Sequence, residues 1–325
     1  MEIRPLGATG LRVTPIGLGL AALGRPAYIT LRHDRDLGPD KSEAARRARC
    51  HEVLDAAYAA GIRYVDAARS YGRAEAFLGS WLTDRGPAVA DVTVGSKWGY
   101  RYVGRWRMDV TVHEVKDHTL GMLERQLAES RALLGDRLRL YQVHSATFES
   151  GVLADRGVLG ELIRQRDAGL VIGLTTSGPN QADVVRAALA VELDGRNPFA
   201  CVQATWNLLE PAVGPALVEA HTAGWGVIVK EAVANGRLAD VADAPSGLRR
   251  VAARHNAPPD AVAIAATLDN PWADVVLSGA ATVGQLESNV AALGIVLGAE
   301  DRADLAALAE PAVAYWAERS RLDWA

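Results

Sequence analysis

Short apolar runs alternate with amphipathic segments of helical length along almost the whole chain, and this alternation limits the fold more than any other feature. Two strands joined through a helix run parallel in one sheet. Eight such units without a break in composition predict a closed (α/β)8 barrel of the TIM type, with residues 1–325 in one domain. The predicted strands are Pro15–Leu18, 62–66, 92–97, 138–144, 171–175, 201–205, 226–230 and 275–278.

Helices are predicted between the strands from apolar residues at helical spacing, such as Val53, Ala56, Ala57 and Ala60 in the first helix. An open, doubly wound sheet would show a similar alternation, but the regular spacing through all the units favours closure. The predicted helices cover about 42–60, 74–84, 112–133, 155–168, 180–192, 213–223, 259–269, 283–293 and 299–318.

A β-hairpin is predicted at the N-terminus, where Glu2–Leu6 and Leu11–Val13 flank a turn through Thr9-Gly10. Long loops are predicted after the first, third and seventh strands. These loops should leave the carboxyl-terminal rim of the barrel, where such folds carry their active sites. The three loops are 25–41, 98–111 and 231–247.

Composition indicates an ordinary globular chain, with 49% hydrophobic and 23% charged residues. The net charge of −4 argues against nucleic acid or an anionic membrane as the main partner. Cys50 and Cys201 are interpreted as reduced thiols. The N-terminus lacks the apolar stretch of a signal peptide, and no apolar run reaches the ~18 residues of a membrane helix. We therefore expect a cytoplasmic monomer or homo-oligomer that acts on a small molecule.

Four side chains with related chemistry lie at or just after the ends of predicted strands. Asp66 ends the second strand, Tyr71 follows it, Lys97 ends the third strand and His144 ends the fourth. The four should converge at one rim. A cation beside a phenol favours phenolate and lowers the pKa of the tyrosine, while the carboxylate keeps the lysine charged. With a histidine to hydrogen-bond the reacting oxygen, the group suits carbonyl reduction with Tyr71 as proton donor.

The segment Gly17–Ala22 formally fits the G-x-G-x-x-G/A fingerprint of a dinucleotide-binding fold. That fingerprint must open a helix, and Gly24 and Pro26 oppose a helix here. We interpret the segment as a loop after the first strand that lines the mouth of the pocket.

Several motifs in consistent order resemble the aldo-keto reductase superfamily. The resemblance extends from the opening hairpin to the eighth helix and implies an (α/β)8 barrel that binds NAD(H) or NADP(H) without a Rossmann domain. The motifs are Gly61–Asp66, Tyr71-Gly72 with Glu75 and Gly79, Ser96-Lys97, Gln142–His144, Gln203 with Trp206-Asn207, and Gly279 through Asn289.

The resemblance also implies which residues bind the nicotinamide. Gln203 is expected to hydrogen-bond the carboxamide, and Thr175, Thr176 and Ser177 take the place of the family's usual Ser-Asn pair. Trp206 is expected to stack on the nicotinamide ring, where relatives often have a tyrosine.

At the adenosine end, many relatives bind the 2′-phosphate of NADP through a Lys-Ser pair and a following Arg. The matching residues here, Gly279, Ala280 and Gln285, are uncharged. Preference for NADP should therefore be weak, and the choice between the two cofactors stays open. The other candidates for this end are Thr282, Asn289 and, for the cofactor phosphates, Arg237.

The predicted function is hydride transfer between C4 of the nicotinamide and an aldehyde or ketone, or the corresponding alcohol. Leu20, Trp98 and Tyr100 are expected to line the substrate pocket, and no metal ion is expected. A sugar dehydrogenase that works oxidatively is the main alternative among enzymes. A cofactor-sensing regulatory subunit is the alternative from a different class.

Overall fold

The computed structural model describes residues 1–31, 36 and 38–324, so part of the predicted 25–41 loop lies outside the described residues. Its parallel strands form a closed eight-stranded barrel, which confirms the predicted (α/β)8 architecture. The last barrel strand pairs in parallel with the first and closes the ring. In chain order the barrel strands are β3 (Ile16–Gly19), β4 (Tyr64–Asp66), β5 (Thr93–Trp98), β8 (Leu138–Ala146), β9 (Val171–Thr176), β10 (Cys201–Thr205), β11 (Gly226–Lys230) and β12 (Val275–Ser278).

Helices follow the barrel strands and pack around them. Short 3-10 turns lie at 86–89, 135–137, 148–150, 234–236 and 291–294. Within the described residues, no helix combines the length and apolar character needed to cross a membrane. The helices are α1 (Glu43–Ala59), α2 (Ala74–Arg85), α3 (Leu120–Leu134), α4 (Arg156–Asp167), α5 (Gln181–Leu189), α6 (Gly214–Thr222), α7 (Ser246–Arg254), α8 (Pro259–Leu268), α9 (Val283–Val290), α10 (Ala299–Ala306) and α11 (Ala312–Arg319).

The prediction of one helix over 112–133 is wrong at its start. Residues Glu114–Lys116 form a strand, β7, that pairs antiparallel with β6 (Tyr100–Tyr102). The helix begins only after Thr119, whose side chain accepts a hydrogen bond from the Met122 N–H. Local propensity could not reveal the pairing, because β6 lies in a segment that was predicted to be a loop.

Two other predictions near the C-terminus are also corrected. The predicted helix 299–318 is two helices, because Pro311 lacks a backbone N–H and disfavours helical geometry in the residue before it. The predicted loop 231–247 contains a 3-10 turn and the first residues of α7. The remaining predicted elements agree with the structure to within a few residues.

The N-terminal hairpin, β1 (Arg4–Pro5) with β2 (Arg12–Val13), is confirmed and closes the bottom of the barrel. Leu6 and Leu11 are buried there against inward-facing apolar side chains of the barrel strands. Gly7 makes this approach possible, because a Cβ on it would lie 2.4 Å from the backbone nitrogen of Gly226. The hairpin thus leaves the opposite, carboxyl-terminal rim for the functional site.

Side chains on the barrel strands alternate between the barrel interior and the surrounding helices. An inner apolar layer includes Tyr64, Leu140, Cys201 and Ile228. Because inward positions recur every second residue, the next inward layer toward the rim is polar. Its members on these four strands are Asp66, Gln142, Gln203 and Lys230.

Glycines allow the loop after β3 to contact the loop that carries Tyr71. Gly72 has a φ of +61°, and a Cβ on it would lie 2.5 Å from the carbonyl oxygen of Gly24. A Cβ on Gly24 would lie 2.2 Å from the carbonyl oxygen of Tyr71. The Arg73 N–H donates to the Gly24 carbonyl over 2.7 Å. This close approach fixes the position of Tyr71 relative to the rim.

Gly24→Ala is therefore expected to destabilise the protein by about 1–3 kcal/mol, because the added methyl forces the two loops apart. Urea denaturation monitored by circular dichroism would measure the change. Gly121→Ala is the matched control, since a Cβ there meets nothing within 4 Å. That control should be neutral or stabilising by up to about 1 kcal/mol. Equal stabilities for the two variants would contradict the close-packing argument.

Candidate active site

A cavity of about 800 Å³ opens at the carboxyl ends of the barrel strands. Asp66 from β4, Lys97 from β5, His144 from β8 and Tyr71 from the loop after β4 all line it. These four residues, called the tetrad below, are thus brought together in a single cavity, as the sequence predicted.

Asp66 and Lys97 form a buried ion pair at the floor of this cavity. Lys97 Nζ donates to both carboxylate oxygens of Asp66 over 2.6 Å and to the Ala67 carbonyl over 2.9 Å. Gln203 Nε2 lies 3.1 Å from each carboxylate oxygen and donates to the same group. Burial raises the pKa of Asp66 and lowers that of Lys97, while their mutual contact opposes both shifts.

The ring of Tyr71 lies between two cations. Lys97 Nζ is 4.8 Å and Arg25 Cζ is 5.3 Å from the ring centroid. Even so, burial raises the pKa of Tyr71 well above its usual value, with a further contribution from the Asp66 charge. The expected lowering of this pKa is therefore wrong for the structure described here, because Asp66 balances the Lys97 charge and the phenol is desolvated. Tyr71 is consequently protonated at neutral pH.

His144 packs beside Tyr71, with ring centroids 5.5 Å apart and the rings nearly perpendicular. Its Nδ1 lies 3.3 Å from Ser70 Oγ. Burial lowers the pKa of His144 well below its usual value, and the nearby charges of Lys97 and Lys230 add to the shift. The imidazole is therefore neutral at neutral pH, with one nitrogen able to donate a hydrogen bond and the other able to accept one.

An irregularity in β8 sets the direction of His144. The pairing of β8 with β9 shifts register between Val143 and Ala146, and Ser145 has a φ of +50°. The Ser145 N–H donates to Thr175 Oγ1 over 2.7 Å. Thr175 thus supports the strand end. It is not among the described residues that line the cavity, and its contact with the cofactor stays a prediction.

Other residues that were predicted to contact the cofactor differ in whether they line the cavity. Of the segment 175–177, only Ser177 is among the described residues that line the cavity, and Thr176 is fully buried outside it. Trp206, which follows the end of β10, is not among the described lining residues either. The indole of Trp206 instead packs edge-on against Trp272, with ring centroids 5.8 Å apart.

The substrate-pocket predictions are corrected for two of three residues. Tyr100 lines the cavity, with its ring 5.0 Å from that of His144. Trp98 follows the inward-facing Lys97 and therefore points outward, where it packs against His118. Leu20 is fully buried in the apolar core and is not among the described lining residues.

At the far end of the cavity, Gly279, Gln285 and Asn289 are lining residues, and their binding of the adenosine stays a prediction. Gln285 Nε2 donates to Asp36 Oδ2 over 2.7 Å, and Asn289 Nδ2 donates to Asp260 Oδ2 over 2.8 Å. A Cβ on Gly279 would meet no atom within 4 Å, so this end has open space for a ligand.

Two further predictions for this end are corrected. Thr282 caps α9 by accepting the Gln285 N–H, and it is not among the described residues that line the cavity. Arg237 is likewise outside that lining, because its guanidinium binds the carboxylate of Glu310 over 2.5 and 3.1 Å. Neither side chain is therefore directed at the cavity.

Sequence reasoning missed a charged group at the end of β11. Lys230 lines the cavity and donates to Thr205 Oγ1 over 2.6 Å and to Ser177 Oγ over 3.1 Å. The adjacent Glu231 accepts hydrogen bonds from Arg319, which reaches the rim from α11. Lys230 could have been found from its place at a strand end, as Lys97 was, whereas nothing in the sequence connects Arg319 to this rim.

Arg25 and Trp324 are two more lining residues that the sequence did not indicate. Arg25 is 2% exposed and binds Glu114 Oε1 over 2.5 Å. The ring of Trp324 lies 4.6 Å from the Arg25 guanidinium carbon and stacks on His113 with centroids 4.3 Å apart. The C-terminal segment therefore forms part of the cavity wall above Tyr71.

Lys97→Met should destabilise the protein by about 3–5 kcal/mol, because it leaves the buried Asp66 carboxylate without its ammonium partner. Adding Asp66→Asn to this variant should restore part of the loss. Urea denaturation of the two single variants and the double variant would measure the coupling. The exposed pair Arg107–Asp109 is the control, and Arg107→Met there should leave the denaturation midpoint nearly unchanged, because solvent screens the pair. Equal losses at the two pairs would contradict a buried, coupled Lys97–Asp66 pair.

Known proteins share the sequence pattern and the fold of this chain. The profile of the Aldo/keto reductase family matches residues 15–310. The chain is 29% identical over 215 residues to pyridoxal 4-dehydrogenase of Microbacterium luteolum, and this match spans 58% of each protein. It is 25% identical over 291 residues to aldo-keto reductase str7 of Strobilurus tenacellus, which covers 80% of both.

A solved structure shows the same fold. The holo form of aldo-keto reductase AKR11C1 from Bacillus halodurans superimposes with a TM-score of 0.71 at 22% identity, over 96% of this chain and 98% of that one. With the family match over nearly the whole chain, the chain belongs to the aldo/keto reductase family of NAD(P)-dependent oxidoreductases.

Proposed function

We propose that this protein transfers hydride between C4 of NAD(P)H and the carbonyl carbon of a small aldehyde or ketone, reversibly with the corresponding alcohol. The observation that carries the proposal is the buried Lys97–Asp66 pair beneath the ring of Tyr71, with neutral His144 beside it in the same cavity.

The cavity suits a nicotinamide dinucleotide in its residues and its shape. Ser177 and Gln203 would bind the nicotinamide end near the tetrad, and Gly279, Gln285 and Asn289 would bind the adenosine end. The open space at Gly279 is consistent with a ligand backbone passing close to the chain. When bound, the nicotinamide supplies the hydride in reduction and accepts it in oxidation.

The residues of the tetrad each have a distinct part in the reaction. Tyr71, protonated because it is buried, donates its phenolic proton to the carbonyl oxygen as negative charge develops there. Lys97, held by Asp66, stabilises the phenolate that results. His144 orients the carbonyl through a hydrogen bond from its neutral ring. In the oxidative direction, Tyr71 takes the proton back from the alcohol.

The oxidative direction is a second candidate, because one relative is named as a dehydrogenase of pyridoxal. Assays should therefore be run in both directions. The reductive assay uses a panel of aldehydes and ketones with NADH or NADPH. The oxidative assay uses a panel of alcohols and sugars with NAD+ or NADP+. Cofactor binding without turnover on any panel member would favour the regulatory alternative over an enzyme.

Tyr71→Phe is expected to keep cofactor affinity within about threefold while turnover falls by ~10²–10⁴, because only the phenolic proton is removed. Stopped-flow or steady-state assays with matched calorimetric titrations of the cofactor would separate the two effects. Tyr102→Phe, in the neighbouring hairpin, is the control for loss of a tyrosine hydroxyl near the rim. Retention of more than about a tenth of kcat in Tyr71→Phe would overturn the assignment of this residue as the proton donor.

The protein is expected to show little or no preference for NADPH over NADH. Gly279, Ala280 and Gln285, the positions that match the 2′-phosphate site of many relatives, line the cavity and carry no charge. Cations that bind a phosphate contribute ~1.5–3 kcal/mol each, and none stands at these three positions. Fluorescence titration of both reduced cofactors would measure the ratio. An affinity for NADPH more than about a thousandfold above that for NADH would contradict the expectation.

A further inference from the structure

Lys230 is a lysine in the cavity that has no part in the proposed proton transfer. The barrel strands follow the order β10-β11-β12-β3-β4-β5-β8-β9, so β11 lies opposite β5 in the ring. Lys230 ends β11, and Lys97 lies near the end of β5. The two lysines thus project into the same cavity from opposite sides.

The charge of Lys97 is balanced by contact with a carboxylate, whereas the charge of Lys230 is not balanced in the same way. The hydrogen bonds of Lys230 Nζ run to the hydroxyls of Thr205 and Ser177. The nearest carboxylate, Glu231, is 3.9 Å away. That carboxylate is bound by Arg319, whose guanidinium donates to both of its oxygens. Lys230 therefore adds positive charge to its side of the cavity.

The place of Lys230 relative to the nicotinamide follows from the strand order, and this step rests on the proposed function. Gln203 belongs to β10, the strand next to β11, and Ser177 follows β9, the strand beyond β10, and accepts a hydrogen bond from Lys230 Nζ over 3.1 Å. The tetrad comes from β4, β5 and β8 on the other side. A nicotinamide that is bound by Ser177 and Gln203 and turns one face toward Tyr71 turns its other face toward β11, and thus toward Lys230.

We propose that Lys230 makes the site bind the reduced cofactor in preference to the oxidised one. The oxidised nicotinamide ring carries a positive charge and the reduced ring is neutral. An ammonium near the ring therefore repels the oxidised form through a short, poorly screened path, while its alkyl stem packs equally well against either form. Lys230 is thus a residue that sets the preference for cofactor redox state, distinct from the tetrad that handles the proton.

The test measures dissociation constants for NAD+, NADH, NADP+ and NADPH by isothermal titration calorimetry at pH 7. The relevant quantity is the ratio of oxidised to reduced dissociation constants within each pair. In Lys230→Met this ratio should fall by about tenfold or more, mainly through tighter binding of the oxidised form. Lys230→Arg keeps the charge and should keep the ratio within about threefold of wild type.

Lys116→Met is the matched control. Lys116 also lines the cavity, but it belongs to β7, and its ammonium donates to the Ser145 carbonyl over 3.1 Å. Removing the Lys116 ammonium should leave the ratio within about threefold of wild type. The reason is that this ammonium lies on the side of the cavity that carries the tetrad and does not bind Ser177 or Thr205. A fall as large as that in Lys230→Met would show that any cavity cation acts alike, which overturns a specific role for Lys230.

A pH series gives a second, independent measurement of the role of Lys230. Burial lowers the pKa of Lys230 to about 8, so the ammonium loses its proton as the pH rises from 7 to 9. The wild-type ratio should fall over this interval, and the ratio in Lys230→Met should not change. The other ionisable groups that line the cavity around the tetrad and β11 are Arg25, Tyr28, Asp66, Tyr71, Lys97, Tyr100, Glu114, Lys116, His144, Glu231 and Arg319, and the described lining also includes Asp36, Asp240 and Asp260.

Those other groups are present in both proteins, so only the difference between the two pH series is assigned to Lys230. Burial and nearby charges shift the pKa of His144 far below this interval and that of Tyr71 far above it. Arg319 and Lys230 lower the pKa of Glu231 to about 2, which keeps it ionised throughout.

The outcomes separate this inference from the proposed function. Wild-type protein that binds none of the four dinucleotides would overturn both. Binding of a pair with an unchanged ratio in Lys230→Met would overturn the role of Lys230 alone and leave the proposed function intact. If Lys230→Met does not fold, a wild-type ratio that stays constant between pH 7 and 9 overturns the inference in its place.

Discussion

The rest of the site depends on the contact between Lys97 and Asp66. Two charges taken out of water are tolerated only when each is held at short range and its remaining donors and acceptors are satisfied. Here Lys97 Nζ reaches both Asp66 oxygens and the Ala67 carbonyl, and Gln203 binds the same carboxylate from across the barrel. This geometry requires β4, β5 and β10 to be in register. The polar site therefore forms only when the barrel is closed.

Around this pair, ion pairs between residues far apart in the chain hold further charged side chains at the rim. Arg25, from the loop after β3, binds Glu114 of the β6–β7 hairpin and lies against Tyr71. Arg319, from the last helix, binds Glu231 after β11. Among the described lining residues near the tetrad, the cations Arg25, Lys97, Lys116, Lys230 and Arg319 outnumber the carboxylates Asp66, Glu114 and Glu231. This excess of positive charge matters for any charged ligand that binds there.

The sequence predicted the barrel because every unit repeats one local pattern: an apolar strand, a helix with an apolar face, and polar residues at strand ends. Cys201–Thr205, Gly226–Lys230 and Val275–Ser278 were predicted with their observed bounds. Elements that depend on distant partners were not predicted, as with β7, which exists because it pairs with β6. The same locality explains why Asp66, Lys97 and His144 could be selected as site candidates, since a strand end is a local feature.

The sequence by itself determined the class of fold and the side chains that could meet at the rim. Only the tertiary structure decided which of them face the cavity. In β5, Trp98 follows the inward-facing Lys97 and points toward the helices, whereas in β11 Lys230 lies two residues after the inward-facing Ile228 and points inward. Trp206, after the end of β10, packs against Trp272. Arg237 does not line the cavity, because its guanidinium binds Glu310, which is 73 residues away in the chain. Residue type is local, whereas direction and ion pairing depend on barrel closure, which brings together residues far apart in sequence.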